Sequence, residues 1–370
     1  MIKNPKVIVD LTHLTHNAKQ VIGTCHDLGI DVAGVVKGAT GAVGVARAFV
    51  NGGANQIASS RVEQLEAIKA AGFKEETMLL RVPMLSEIPD VVRWADITLN
   101  SELTVIEAQE EEAARQHRIQ KIILMADMGD LREGYWDKDE MAEVALKIEK
   151  EMPHLQLIGV GTNLGCYGSV AATPEKLNEL IDVAHKVEAK IGRKLQYISG
   201  GATSSYMRIM DGNLPKEINH LRIGEGILLA RDFEVFYGYK NTGLYQDTFV
   251  LQAEIIEVKE KPSHPVGELA VDAFGHKPTY VDKGMRKKAL LAIGKVDYGD
   301  TAELIPLEPG LEVLGASSDH TILDITECPR DLKVGDVVKF TINYATIVYL
   351  TNTENVQLEY IWDDELMSND

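Results

Sequence analysis

Lys37, in the segment Val35-Val36-Lys37-Gly38, directly follows a short apolar run from Ile30 to Val36. A lysine at the mouth of a strand loses hydration when its ammonium is partly covered, which costs free energy. The same burial lowers its pKa, and the free amine can then form a Schiff base with an aldehyde cofactor. The other reading is an alkyl stem snorkelling from a strand end to water. Two later segments bear on the choice. Ser199-Gly200-Gly201-Ala202-Thr203-Ser204-Ser205 combines glycines that let backbone approach closely with three hydroxyls that can donate to phosphate oxygens. Leu221-Arg222-Ile223-Gly224-Glu225-Gly226 offers a second stretch of bare backbone N–H groups, with Arg222 placed to lie near a bound ring. Each segment alone reads as ordinary turn chemistry, and Arg222 alone as a structural ion pair.

The elements that must position these residues are short β-rich runs alternating with helical periods from about residue 6 to 235. Expected strands are Val32–Val36, Gln56–Ser59, Met78–Val82, Ile97–Leu99, Ile122–Met125, Leu157–Val160, Gln196–Ser199 and Leu221–Ile223. Eight strands alternating with helices favour a (β/α)8 TIM-like barrel. In such barrels phosphate commonly sits beyond strands seven and eight, where the two glycine-bearing segments fall. No G-x-G-x-x-G opens a helix after the first strand, against a dinucleotide fold. From residue 236 to 370 the pattern changes to Thr248–Val258, Leu269–Val271, Ala289–Ile293, Thr321–Ile325, Val337–Ile342 and Val356–Ile361, broken by Pro and Gly. This reads as a C-terminal mainly-β domain. The strand at 6–9 is a candidate to pack with it, and the end from Asp363 to Asp370 is expected to fray.

The 370 residues suggest two domains. A hydrophobic fraction of 45% with 25% charged residues is that of a globular protein. The net charge of −18 argues against nucleic acid or anionic membrane as a partner. Cys25, Cys166 and Cys328 are odd in number and widely spaced, so no disulfide framework is expected. With neither a signal-like N-terminus nor an apolar stretch near the roughly 18 residues of a membrane span, the expected location is the cytoplasm.

These segments resemble the alanine racemase family of pyridoxal-phosphate enzymes, in particular its ornithine/lysine racemase branch, over nearly the whole chain. Val36-Lys37-Gly38 resembles the segment of the cofactor lysine, and Leu221-Arg222-Ile223-Gly224 the one whose arginine bonds the pyridine nitrogen. Gly200-Gly201-Ala202-Thr203-Ser204-Ser205 is similar to the Gly-Gly-Asn-Ser-Ser-Ser phosphate loop of that branch, with alanine for asparagine. Asp127-Met128-Gly129-Asp130-Leu131-Arg132-Glu133-Gly134 resembles the stretch that puts an arginine near the substrate carboxylate. Ser317-Ser318-Asp319-His320-Thr321-Ile322-Leu323-Asp324 resembles the β-domain segment that reaches into the neighbouring subunit's site.

The resemblance implies pyridoxal 5'-phosphate as cofactor and a racemase acting on an amino acid, ornithine or lysine by branch or a broader range, in a homodimer with shared sites. It makes Lys37 the link to the cofactor and one proton carrier. It assigns Asn163, Thr203, Ser204, Ser205, Arg222, Gly224 and Tyr344 to cofactor binding and Arg132 to the substrate. The departures are Gly41 for a phosphate-touching tyrosine, Asn163 for a ring-stacking histidine, Met125 for a carbamylated lysine, and Phe274 for the tyrosine that serves as second base. Phenylalanine cannot carry a proton. Asp319 and His320 are the candidates for that role, with Asp272, His276 and Tyr280 nearby in sequence. A lyase or dehydratase, or a protein of pyridoxal-phosphate homeostasis, are the alternatives. No metal is expected, since Asn343-Tyr344-Ala345-Thr346 lacks the His-x-Cys or His-x-Asp pair of the metal-holding relatives.

Overall fold

The computed structural model describes residues 3–271, 274–277, 279–300 and 304–362. The chain forms two compact units, Leu14–Tyr245 and the residues before Leu14 together with those after Tyr245. Strand β1 (Lys6–Asp10) belongs to the second. The first is built on β2 (Asp31–Val35), β3 (Gln56–Ser59), β4 (Glu76–Leu79), β5 (Ile97–Asn100), β6 (Gln120–Met125), β7 (Leu155–Gly161), β8 (Tyr197–Ser199) and β9 (His220–Ile223). These eight close into a barrel of parallel strands, sealed where β2 pairs β9 with Ala33 opposite Arg222.

Both faces of these strands are buried, which is why they read as near-continuous apolar runs rather than alternating ones. Inward-facing positions recur every second residue. Ala33 and Val35, Ile97 and Leu99, and Ile123 and Met125 join Ala58, Met78, Ile158 and Tyr197 in one interior cluster. Small residues on β2 and β3 leave room for Tyr197 and Met125. On the outer face of β2, a Cβ at Gly34 would lie 2.6 Å from Phe49 Cδ2, so this glycine lets the helix Val43–Asn51 pack closely on the strand.

Local signals set the helix ends. Pro174–Ile191 starts with Pro at its first position, is capped by Thr173 Oγ1 accepting from Lys176 N at 3.3 Å, and stops at Gly192 with φ +80°. Asp137 and Glu102 accept in the same way for Lys138–Glu151 and Leu103–Gln116. Among the described residues, no helix is long and apolar enough to cross a membrane.

The barrel unit runs past residue 235 to Tyr245, because the intervening segment is tied back to it. Buried Asn17 donates to Tyr245 O at 2.8 Å and Ile227 O at 3.2 Å, and accepts from Tyr245 N at 2.8 Å. Tyr239 donates to Asp211 at 2.7 Å.

The second unit contains β10 (Phe249–Pro262), β11 (Met285–Leu291), β12 (Ile305–Pro306), β13 (Glu312–Ala316), β14 (Thr321–Asp324), β15 (Val337–Thr341) and β16 (Gln357–Ile361). Its sheet runs β12-β15-β10-β11-β14-β13, with β1 pairing antiparallel to β10 and parallel to β16. Along β10, buried Phe249, Leu251, Ala253 and Ile255 alternate with more open Val250, Gln252 and Glu254, the signature of a half-buried strand. The expected strand Leu269–Val271 is absent; Leu269 and Val271 are exposed and pair with no strand. Asp272 and the stretch 363–370 lie outside the described residues.

Replacing Asn17 with leucine removes its hydrogen bonds to Tyr245 N and O and to the buried Ile227 carbonyl, each worth about 0.5–1.5 kcal/mol. Thermal unfolding of N17L is expected at a clearly lower temperature, with earlier protease cleavage between residues 236 and 245. An unchanged melting temperature would refute this account of the tether.

Candidate active site

The apolar run of β2 ends at Val36, and the chain turns through a short 3-10 helix, Lys37–Ala39. Thr40 and Gly41 then take left-handed backbone, with φ of 49° and 69°. A Cβ at Gly41 would lie 2.5 Å from Gln64 Cβ, so this position has no room for a side chain unless Gln64 moves. Lys37 is open to solvent at the barrel mouth, while the surrounding walls crowd its ammonium. Its pKa is held below the ordinary lysine range, first by desolvation and then by the Arg132 guanidinium, with Arg222 acting the same way. Cys166 and Glu133 pull in the opposite direction.

Arg222, 3% exposed, points into the barrel from β9. It donates to Ser199 Oγ and, at 2.6 Å, to Thr162 O. Among the described residues no carboxylate forms an ion pair with it, and desolvation brings its pKa down to about 10. A buried guanidinium held by neutral acceptors retains attraction for a further acceptor.

Beneath it a hydrogen-bonded chain runs down the barrel interior. Ser199 Oγ meets His220 Nδ1 at 2.7 Å, and His220 Nε2 meets Gln56 Oε1 at 3.0 Å. Gln56 Nε2 donates to Glu76 and to Tyr197 OH, both at 3.3 Å, and Tyr197 donates to Asp31 Oδ2 at 3.0 Å. The Gln56 carbonyl can only accept, so the imidazole proton sits on Nε2 and Nδ1 accepts from Ser199. Every donor thus points the same way, from the guanidinium down to the carboxylates of Asp31 and Glu76. His220 is fully buried and its pKa falls to about 3, through desolvation first and Arg222 second.

The glycine-hydroxyl segment opens the helix Thr203–Met210, whose N-terminus carries no side-chain cap at Ala202. Gly201 sits at φ +115°, and a Cβ at Gly200 would lie 2.5 Å from Ile218 Cγ2. The serines differ from expectation: Ser204 donates its hydroxyl to Leu164 O at 2.8 Å and Ser205 to Gly200 O at 2.5 Å. Their O–H groups hold loops together, so anion binding here falls to backbone amides and to Thr203. Thr203 Oγ1 accepts from Gly226 N at 3.2 Å and keeps its own proton to donate. A Cβ at Gly224 would lie 3.1 Å from Val35 O, so the turn after β9 hugs the end of β2. Glu225 follows, buried, with Oε2 lacking a partner; desolvation and then Asp232 raise its pKa to about 7.

Arg132 and Asn163 come from the loops after β6 and β7. The guanidinium edge expected to grip a carboxylate is already forked onto Glu133, and Nη1 donates to Cys166 Sγ at 2.9 Å. Asn163 Nδ2 is buried without a partner, a donor waiting for an acceptor. Met125, where the resemblance places a modified lysine, is fully buried among apolar neighbours.

In the second unit, Asp319 and His320 form the exposed turn between β13 and β14, with Ser317 accepting from His320 N at 3.2 Å. Phe274, His276 and Tyr280 are exposed, and Lys295 Nζ lies 4.4 Å from the Phe274 ring centre. Tyr344 opens a helix, Tyr344–Leu350, capped by Asn343 Oδ1 accepting from Thr346 N at 3.0 Å.

Sequence reasoning missed Ser199 as the partner of Arg222 and His220 as the partner of Ser199. His220 lies two residues before Arg222, so the period of a strand puts both on one face. Glu133 lies within the quoted segment Asp127–Gly134 and Cys166 three residues after Asn163, but nothing in their spacing marks their approach to Arg132.

An amine with a lowered pKa, a buried guanidinium without a counter-ion, an uncapped helix N-terminus and an orphaned amide donor meet at one barrel mouth. They fit pyridoxal 5'-phosphate, which carries an aldehyde, a ring nitrogen acceptor and a dianionic phosphate.

The family model for the alanine racemase N-terminal domain matches residues 9–232. The chain belongs to the alanine racemase family. It is 39% identical over 357 residues to the ornithine racemase of Acetoanaerobium sticklandii, covering 96% of this chain and 99% of that one. It is 38% identical to the lysine racemase of Thermotoga maritima, covering 96% and 98%. The alanine racemase from D-cycloserine-producing Streptomyces lavendulae shares the fold, with TM-score 0.77, 18% identity and 99% of both chains covered. So does a D-threonine aldolase from Filomicrobium marinum, with TM-score 0.70, 14% identity, and 95% and 90% covered. The two-unit architecture therefore carries more than one reaction.

Two opposed pH dependences follow. For His220 the unfolded chain binds the proton near pH 6.5 while the fold resists it to about 3, so stability is full above 6.5 and is lost as pH falls towards 3. An H220N variant is expected to lose about 1–3 kcal/mol at neutral pH and to flatten this acid slope in denaturant titrations; an unchanged slope would count against a neutral buried imidazole.

Glu225 works in the other direction. Its folded pKa lies above the unfolded 4.5, so its contribution is fully present below 4.5 and is lost as pH rises through about 7. E225Q is expected to gain on the parent as pH rises from 5 to 8. A constant difference across that range would show that the carboxyl does not titrate there.

Proposed function

We propose that the protein is a pyridoxal 5'-phosphate-dependent racemase of a basic amino acid, ornithine or lysine, acting in the cytoplasm as a homodimer with shared sites. The observation that carries the reading is the conjunction of Lys37, its pKa lowered, with the buried Arg222, which among the described residues is bonded by neutral acceptors, at one barrel mouth. Family membership and the two racemases at 39% and 38% identity support it.

When bound, the cofactor would draw electrons from the substrate Cα and make its proton acidic. The protein then has to bind, orient and move protons. Lys37 would hold the cofactor's aldehyde carbon and, once a substrate amine displaces it, exchange the α-proton on one face. Arg222 would donate to the ring nitrogen; because a guanidinium keeps its proton, that nitrogen stays unprotonated. This limits electron withdrawal and disfavours side reactions such as transamination.

Backbone amides at Thr203, Ser204 and Gly224, with the Thr203 hydroxyl, would hold the phosphate, since Ser205 N already donates to Ala202 O; Tyr344 is the further phosphate contact that the resemblance implies. The Asn163 amide would lie beside the ring. Arg132 would offer Nη1 to the substrate carboxylate, with Glu133 fixing its other edge. Asp319 and His320 of a neighbouring subunit are the carriers that the resemblance implies for the opposite face.

The test is a panel of L-amino acids incubated with cofactor-loaded protein and resolved by chiral chromatography. Ornithine and lysine are expected to approach equal enantiomers. K37A is expected to lack the visible band of the lysine–cofactor link and to lose at least about 100-fold in rate, the lower range for removing an acid–base group. A carbonyl product in place of a D-amino acid would assign a lyase or dehydratase. No turnover with any amino acid would overturn the reading.

A further inference from the structure

We propose that Lys138 is a positioning residue for the substrate: its ammonium acts as a built-in monovalent cation that fixes the loop carrying Arg132. This rests on the racemase reading above, which turns Arg132 towards the substrate carboxylate.

Lys138 opens the helix Lys138–Glu151, directly after the capping Asp137. A cation in the first turn of a helix opposes the helix dipole, so the helix gains nothing from it. The ammonium is instead folded back on the preceding loop. Nζ donates to Asp127 O at 2.7 Å, to Tyr135 O at 2.8 Å and to Trp136 O at 2.7 Å. An ammonium has three protons, and this one gives one to each carbonyl. Desolvation lowers its pKa, while Asp127 and Asp137 act in the opposite direction. The Trp136 ring, centred 5.4 Å from Nζ, adds a π face to the cage.

The three carbonyls belong to the two ends of one loop. Asp127 starts it, and Tyr135 and Trp136 finish it. Asp127 N donates to Tyr135 O at 3.1 Å, and Tyr135 N to Met125 O at 2.8 Å. A Cβ at Gly134 would lie 2.3 Å from Asp127 N, so the two ends run against each other. Lys138 closes the neck of this loop, and the arc that it encloses contains Arg132.

The arc is strained beside that arginine. Leu131, the residue before it, has left-handed backbone with φ 55°, which a branched side chain adopts only when its surroundings impose it. Leu131 N donates to Asp127 Oδ1 at 3.1 Å, and Gly129 N donates to the same oxygen at 2.8 Å. The carboxylate that bends the arc and one carbonyl that Lys138 grips thus belong to a single residue. Holding Asp127 sets the backbone direction at Arg132. Glu133 and Cys166 then align the guanidinium from its side.

The experiment compares ornithine with putrescine, the same diamine without the carboxylate, on parent and K138M holoenzymes. Both proteins are expected to show the visible lysine–cofactor band, which reports a folded and loaded protein independently of turnover. In K138M the KM for ornithine should rise by about 10–100-fold, the worth of one charge-assisted hydrogen bond, while kcat falls less. Affinity for putrescine, read from the change that it makes in the band, should be the same in both proteins. K138A empties the space between the three carbonyls. Potassium, which carbonyl oxygens coordinate in place of water, should lower the KM of K138A, and tetramethylammonium at equal ionic strength should not.

An unchanged KM for ornithine in K138M would overturn the proposal. Equal losses of affinity for ornithine and putrescine would also overturn it, since they mark a general loosening of the mouth. So would potassium and tetramethylammonium acting alike on K138A, or loss of the band from both variants. A parent that racemises nothing would instead overturn the racemase reading itself.

Discussion

A buried guanidinium that, among the described residues, is bonded by no carboxylate is the constraint around which this site is arranged. Paired with a carboxylate, Arg222 would be a structural ion pair and its N–H groups would be spent. Held by a hydroxyl and a carbonyl, it is positioned while its charge stays available. That arrangement needs support from below, because Ser199 has one proton and two acceptor positions. His220 takes the proton, Gln56 fixes the imidazole tautomer, and Glu76 with Tyr197 fixes the Gln56 amide. The carboxylate that acts on Arg222 is Glu133 at the mouth, while the chain of donors ends far below on Asp31 and on Glu76, which is paired with Lys121. Burial keeps His220 neutral, which is what this arrangement requires of it.

The same economy appears in the loops. Ser204 and Ser205 look in sequence like phosphate donors, yet their hydroxyls clasp carbonyls of neighbouring turns. What remains for an anion is backbone, at a helix start that lacks a capping side chain. A cap would satisfy those amides in competition with a ligand. Arg132 is similarly committed in part: Glu133 holds Nε and Nη2, and Nη1 donates to the sulfur of Cys166 with a second proton to spare. Side chains here orient one another, and the groups left over define the site.

The barrel was legible because its signal is local. Each strand is a short apolar run bounded by turn residues, and all eight expected runs correspond to strands, with ends displaced by up to three residues. Lys37, Arg222 and the glycine segments stood out because each contradicts its neighbourhood: a charge after an apolar run, or bare backbone where a strand ends. The β unit was less legible. Leu269–Val271 has the composition of a strand but no neighbour to pair with, and Tyr344 begins a helix set by the Asn343 cap. Pairing partners and caps are contextual, so composition alone misleads.

Within the site, the unread residues were those whose role depends on residues far away in the chain. Ser199, His220 and Gln56 meet only because β3, β8 and β9 face a common interior, across as many as 164 positions. Cys166 and Arg132 are 34 apart and meet because Asp130 binds the two loops together. Sequence shows which residues are able to do chemistry; barrel closure decides which of them share a pocket. The amine of Lys37 gains its reactivity from that closure too, since the guanidinium that does most, after desolvation, to lower its pKa comes from the other side of the mouth.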